Sequence, residues 1–136
     1  MALEFHDGES WVTASTAPRI RRGDRMLYKS DGHNGNGFIS GIVAQPGAKY
    51  VVWYPYDYDG AGAVTAGTAS LVVVDPVDGN TQTSQLVKGT LCQAANLDSA
   101  SPDAGYSAIV PSLFGLQIES FAATGETVDI MIEIHY

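Results

Sequence analysis

The chain has 136 residues, the size of one ordinary domain, and is 45% hydrophobic and 16% charged. Seven basic against fifteen acidic residues give a net charge of −8, which disfavours a general binder of phosphate backbones. Apolar runs such as Leu71 to Val74 fall far short of the ~18 residues that span a membrane, and Glu4, His6, Asp7 and Glu9 interrupt any leader-like opening. The lone Cys92 excludes an internal disulfide and a multi-cysteine zinc site. Composition therefore describes a soluble, acidic, intracellularly made domain with neither a nucleic-acid nor a membrane partner.

In chain order, Leu3 and Phe5 alternate with Glu4 and His6, as an extended strand would. Residues 1–17 read as an N-terminal arm leaving through Pro18, which holds Ala17 extended. Residues 18–136 read as one β-rich body. Five basic residues, Arg19, Arg21, Arg22, Arg25 and Lys29, crowd the arm's exit, whereas residues 31–136 carry two positive against eleven negative charges. Gly23 reads as a turn into a strand at Met26 to Tyr28, and Ser30 to Gly37 as a loop. Tyr50 to Tyr54 predicts a strand with Tyr50, Val52 and Tyr54 on one side and Val51 and Trp53 on the other. Asp57 to Gly62 reads as a second loop, Ala69 to Val74 as a strand, and Asp75 to Asn80 as a turn. Thr81 to Leu91 reads as a further strand, with Gly89 marking a bulge or a close approach.

The one helical expectation is Ser101 to Leu113, where Ser101-Pro102-Asp103 resembles a helix start and Pro111 limits its length. Leu116 to Ser120 and Val128 to Tyr136 then predict a C-terminal β-hairpin around the connector Ala122 to Glu126. The last strand is the clearest, because Val128, Ile130, Ile132, Ile134 and Tyr136 alternate with Asp129, Met131, Glu133 and His135.

Motifs for chemistry are sparse. Asp57-Tyr58-Asp59-Gly60 lacks the flanking ligands of a calcium loop, since Pro55 and Ala66 stand where they belong. His6, His33 and His135 show no metal-ligand spacing, and the glycine clusters match no phosphate loop. Arg22-Gly23-Asp24 matches the integrin tripeptide, a match that arises readily by chance. No catalytic, cofactor or metal residue is assigned. Tyr50, Trp53, Tyr54, Tyr56 and Tyr58 form an aromatic group that suits a core, a protein interface or a sugar platform.

The ordered pieces resemble the lambda-type head decoration proteins of tailed phages. Residues carrying the likeness are Ile20 to Leu27, Tyr50 to Pro55, the Asp57 to Gly60 turn, Ala63 to Gly67, Leu71 to Asp75, Val87-Lys88-Gly89 and Phe114 to Ile118, across about residues 18–118. The N-terminal arm with Trp11 and the strand reaching Tyr136 depart from that pattern. The resemblance implies a non-enzymatic structural virion protein: a homotrimer on the outer capsid surface at threefold or quasi-threefold positions, made in the host cytoplasm and partnered by the major capsid protein. It implies a compact β-clip or β-barrel-like body with an extended N-terminal arm, and stabilisation of the expanded shell. Leu3, Phe5 and Trp11 are then the candidate capsid-binding arm, and Arg19, Arg21, Arg22, Arg25, Tyr54 and Tyr56 the candidate interface. The alternative is a carbohydrate-binding or adhesin β-module.

Overall fold

A computed structural model describes residues 3–6, 8, 11–13, 21–39, 41–74, 81–85 and 92–136. Among the described residues, ten strands follow one another: β1 Leu3–His6, β2 Trp11–Thr13, β3 Arg25–His33, β4 Gly37–Ile39, β5 Tyr50–Val74, β6 Thr81–Gln85, β7 Cys92–Gln93, β8 Ala95–Asn96, β9 Gly105–Ser107 and β10 Phe114–His135. The protein is mainly β. All strand pairings are antiparallel, in the order β2-β1-β3-β10-β5-β9-β7, with β4 also on β10 and with β6 and β8 also on β5. No helix among the described residues is long and apolar enough to cross a membrane.

Two strands organise everything else. β5 is 25 residues long and β10 is 22, several times the usual ~5–6. They pair with each other from Phe114 opposite Val73 to His135 opposite Tyr50, with register shifts between Glu119 and Glu126 and again at Asp129/Ile130. The shifts mark a corner where the pair folds over. Gly60 and Gly62 sit there because the two backbones nearly touch: a Cβ on Gly62 would lie 1.1 Å from the Thr124 carbonyl oxygen, and Gly125 opposite takes a left-handed φ of 69°. Ser120 takes a left-handed φ of 52° at the same corner, and the next amide, Phe121 N–H, donates to Asn36 Oδ1 at 2.8 Å.

On one side of the corner, Glu126–His135 and Tyr50–Asp59 lie between β3 and β9; on the other, Phe114–Glu119 and Thr68–Val73 carry β4, β6 and β8. Their facing sides make a single core. Val51, Trp53, Val128, Ile130, Ile132 and Ile134 come from the first half, and Ala69, Leu71, Phe114, Leu116 and Ile118 from the second, all fully buried. The Trp53 indole N–H donates to the Ala69 carbonyl at 2.9 Å and fastens the halves together. Gly105 leaves room for that ring, since a Cβ there would lie 2.3 Å from the indole.

Several expectations need correction. Asp57–Gly62 and Ala122–Glu126 are not loops but parts of β5 and β10, because Asp57–Gly60 pairs with Glu126–Asp129 and Ala122–Thr124 with Ala63–Ala66. The C-terminal hairpin is therefore absent: Val128–His135 pairs with β3 and with Tyr50–Tyr58, not with Leu116–Ser120. The helix at 101–113 is replaced by turns and β9. Asn96 and Asp103 form a β-bridge, the Ala100 amide donates to Asp98 Oδ1, and Gly105–Ser107 pairs with β5, so local side-chain and sheet bonds take the backbone groups a helix would need. Ser30–His33, expected as loop, continues β3. The sheet path ends at β2 and β7, so the body is a folded-over open sheet and not a barrel. Within the expected arm, Leu3–His6 does not project but pairs with β3 on one side and β2 on the other. This pairing supplies partners to a β3 edge that would otherwise lie open. Thr81–Gln85 is a strand as expected; residues 86–91 and the turn at 75–80 lie outside the described residues.

Gly62→Ala tests the corner. Its Cβ would collide with backbone, so we expect failure to fold or loss of several kcal/mol in chemical denaturation. Gly35→Ala, whose Cβ meets nothing within 4 Å, should change stability by less than about 1 kcal/mol.

Candidate functional site

Alternation along β3, β10 and β5 sends one set of side chains away from the core onto an outer sheet face. Rungs there are Arg25–His135–Tyr50, Leu27–Glu133–Val52 and Lys29–Met131–Tyr54. The expected split holds: Val51 and Trp53 are buried in the core, whereas Tyr50, Val52 and Tyr54 are half-buried on the outer face.

Glu133 is the hub of this face. Its carboxylate accepts the Tyr54 hydroxyl at 2.6 Å, lies 3.1 Å from His135 Nε2 and lies 3.5 Å from the Arg25 guanidinium. Burial, then the bond to Glu133, pushes the Tyr54 phenol up to about 12, so it stays a donor at any physiological pH. The Tyr50 ring stacks on His135 at 4.3 Å between centroids and tilts against Tyr106 at 5.8 Å. Lys29 reaches over the Tyr56 ring at 5.3 Å and lies 3.7 Å from Asp31. Tyr56, half exposed, is the most open of the exposed aromatic rings on the described surface.

Further along the same face the charge turns negative. Asp57, Asp59 and Asp129 each place a carboxylate oxygen within 4.8 Å of the others. Asp129 is buried and accepts the Gly32 amide at 2.8 Å. The Asp129 charge, then that of Asp57, raises the Asp59 pKa above the ordinary carboxylate value. Three carboxylates are the oxygen donors a hard cation takes, but calcium requires about six to eight oxygens. They make a knot of repelling charge rather than a complete cation site. Beside this knot, burial lowers the His33 pKa against the opposing pull of Asp129 and Asp31, and its Nε2 lies 2.9 Å from Ser30 Oγ.

At the opposite end of these strands, Arg21, Arg22 and Lys49 line a concavity of about 280 Å³ with Pro46, Gly47 and Tyr136. The candidate interface residues thus divide. Arg25, Tyr54 and Tyr56 share the outer face, while Arg21 and Arg22 face the concavity. Arg19 lies outside the described residues; Leu3 and Phe5 fall in β1 and Trp11 in β2. Glu133, His135, Lys29, Tyr106 and Lys49 join these groups without having been picked out as site residues. The outward half of the last strand's alternation pointed to the first two; nothing local pointed to Lys49.

Comparison with protein-family models, curated proteins and solved structures finds no match.

The raised Asp59 pKa has a definite sign. The folded state holds that proton more tightly than the unfolded chain, so the group favours folding at low pH and loses that contribution as pH rises through the raised value. Asp59→Asn should therefore raise the melting temperature at pH 7 in low salt. The gain should shrink as pH falls into the ordinary carboxylate range, or as salt screens the triad. A lower melting temperature at pH 7 would show the triad to be stabilising.

Proposed function

We propose that the chain is a structural virion protein that binds the outer surface of a phage capsid as a homotrimer, at threefold or quasi-threefold positions, and stabilises the expanded shell. The resemblance to lambda-type decoration proteins supplies the biological setting. The observation that carries the reading is the outer sheet face, where Tyr50, Tyr54, Tyr56, Tyr106 and Arg25 surround a single carboxylate hub. Aromatic residues and arginine are the types enriched where proteins meet proteins, and a broad sheet face suits contact better than turnover. The partner is the major capsid protein together with two further copies of this chain.

The N-terminal segment supports attachment in a modified form. β1 already lies on β3, and β2, which contains Trp11, ends the sheet path. The shell is then met by the β1–β2 edge, where strand addition gains main-chain hydrogen bonds, rather than by a free arm. Three such edges in one trimer act together, raising avidity by roughly 10²–10⁴ over a single contact.

Mass spectrometry and a cryo-EM map of particles from the phage that encodes this chain test the proposal. Trimeric density on the outer surface is expected at threefold or quasi-threefold positions. Particles without the chain, or isolated monomers on the shell, would overturn it. The carbohydrate-binding alternative rests on the exposed Tyr56 and Tyr106 rings. Saturable glycan-array binding without particle association would favour that reading.

A further inference from the structure

The described cations fall into two groups. Arg25 lies 3.5 Å from Glu133 and Lys29 lies 3.7 Å from Asp31. Arg21, Arg22 and Lys49 have no ion-pair partner among the described residues, although acidic residues outnumber basic ones two to one. All three line the same concavity.

Hydrogen bonds made by the backbone, rather than ion pairs of their side chains, bring them together. The Gly23 amide donates to the Tyr136 carbonyl at 3.0 Å and the Tyr136 amide to the Asp24 carbonyl at 2.9 Å. The Arg21 amide donates to Asp24 Oδ2 at 2.6 Å, closing the turn that carries both arginines. From the other side, the Lys49 amide donates to the His135 carbonyl at 2.7 Å, and the Gln45 amide to the Tyr136 hydroxyl at 2.9 Å. Two segments some 25 residues apart are thus pinned to the last two residues of the chain. Like charges held this way repel one another, and an anion placed among them relieves the repulsion.

Ligand size and charge narrow the choice. At about 280 Å³ the concavity lies at or below the ~300–1,000 Å³ of sites that enclose a small molecule, so a side-chain-sized group fits it. A net charge of −8 opposes long polyanions at a distance, which counts against nucleic acid. Guanidinium forks match the two oxygens of a carboxylate, and lysine adds a point charge. We propose that this concavity is an anion-binding site that takes the carboxylates of an acidic segment on a partner protein. The chemistry stands on these residues alone; that the partner is a capsid subunit rests on the function proposed above.

The full-length, isotope-labelled protein would be titrated by NMR with a peptide of four consecutive glutamates and, separately, with inorganic phosphate. Saturable shifts are expected at the amides of Gly23, Gly47, Lys49 and Tyr136. Apparent affinity should fall as salt shortens the screening length from about 30 Å at 0.01 M to about 8 Å at 0.15 M. The double variant Arg21→Gln/Arg22→Gln should bind about tenfold more weakly or worse, with its spectrum otherwise unchanged. Arg25→Gln/Lys29→Gln, an equal loss of charge outside the concavity, should bind nearly as wild type. Equal weakening in both double variants, or no saturable shift, would overturn the site. Phosphate binding as tightly as the peptide at the same amides would overturn the carboxylate occupant. A particle map without this chain would end the capsid reading and leave the titration untouched; a failed titration would leave the map untouched.

Discussion

Trp53 and Ala69 belong to the same strand, yet the indole N–H of one donates to the carbonyl of the other across a fully buried core. A strand bonds to itself in this way only if it turns back without losing its ladder partner. β5 manages this because β10 turns with it, and the turn is possible because Gly60 and Gly62 let two backbones approach where no Cβ would fit, while Gly125 takes a left-handed φ of 69°. The two halves then face each other and close one core. Every smaller described strand is a local answer to the edges this leaves: β3 and β4 on β10, β6, β8 and β9 on β5, β7 beyond β9, and β1 with β2 beyond β3. Burying Trp53 alone contributes on the order of the 3–5 kcal/mol that large-to-small core changes cost, a sizeable share of a domain's ~5–15 kcal/mol.

With one side of the first half committed to the core, its other side is left to carry charge and aromatic rings. Over the seven rungs from Tyr50 to Asp57, roughly 20 Å of strand, the surface passes from basic to acidic. Arg21, Arg22 and Lys49 stand beyond one end, Glu133 binds Arg25, His135 and Tyr54 in the middle, and Asp57, Asp59 and Asp129 crowd the other end. Exposed ion pairs contribute only ~0–1 kcal/mol each, so this gradient adds little to stability. Its consequence is directional: a partner approaching the sheet meets one orientation that is electrostatically favoured.

The sequence made some of this readable and hid the rest for physical reasons. Val128, Ile130, Ile132, Ile134 and Tyr136 are buried as their alternation demands, because a strand with one face in the core cannot slip by a residue without exposing all of them. The same rule separated Val51 and Trp53 from Tyr50 and Tyr54. The corner was misread, since Asp57–Gly62 and Ala122–Glu126 carry the composition of turns and only their pairing, some 60 residues apart, makes them strand. Ser101-Pro102-Asp103 was misread too, because the residues that start helices also close turns, and the bridge from Asp103 to Asn96 decided between them. Of the candidate site, the arginines and tyrosines were visible as clusters in sequence. Glu133 was visible only as an outward residue of the last strand's alternation, and Lys49 was not visible at all, since a backbone bond to His135 brings it to the arginines.

The Trp53 indole proton reports most directly on whether the pair folds over. In a Trp11→Phe background a single indole N–H resonance remains, and its hydrogen exchange and nuclear Overhauser contacts can be measured in solution. The account predicts exchange as slow as the most protected amides of β10, with contacts to Ala69 and Gly105. Rapid exchange, with contacts confined to Val52 and Tyr54, would mean that the two halves do not close on each other, and the folded-over core would be wrong.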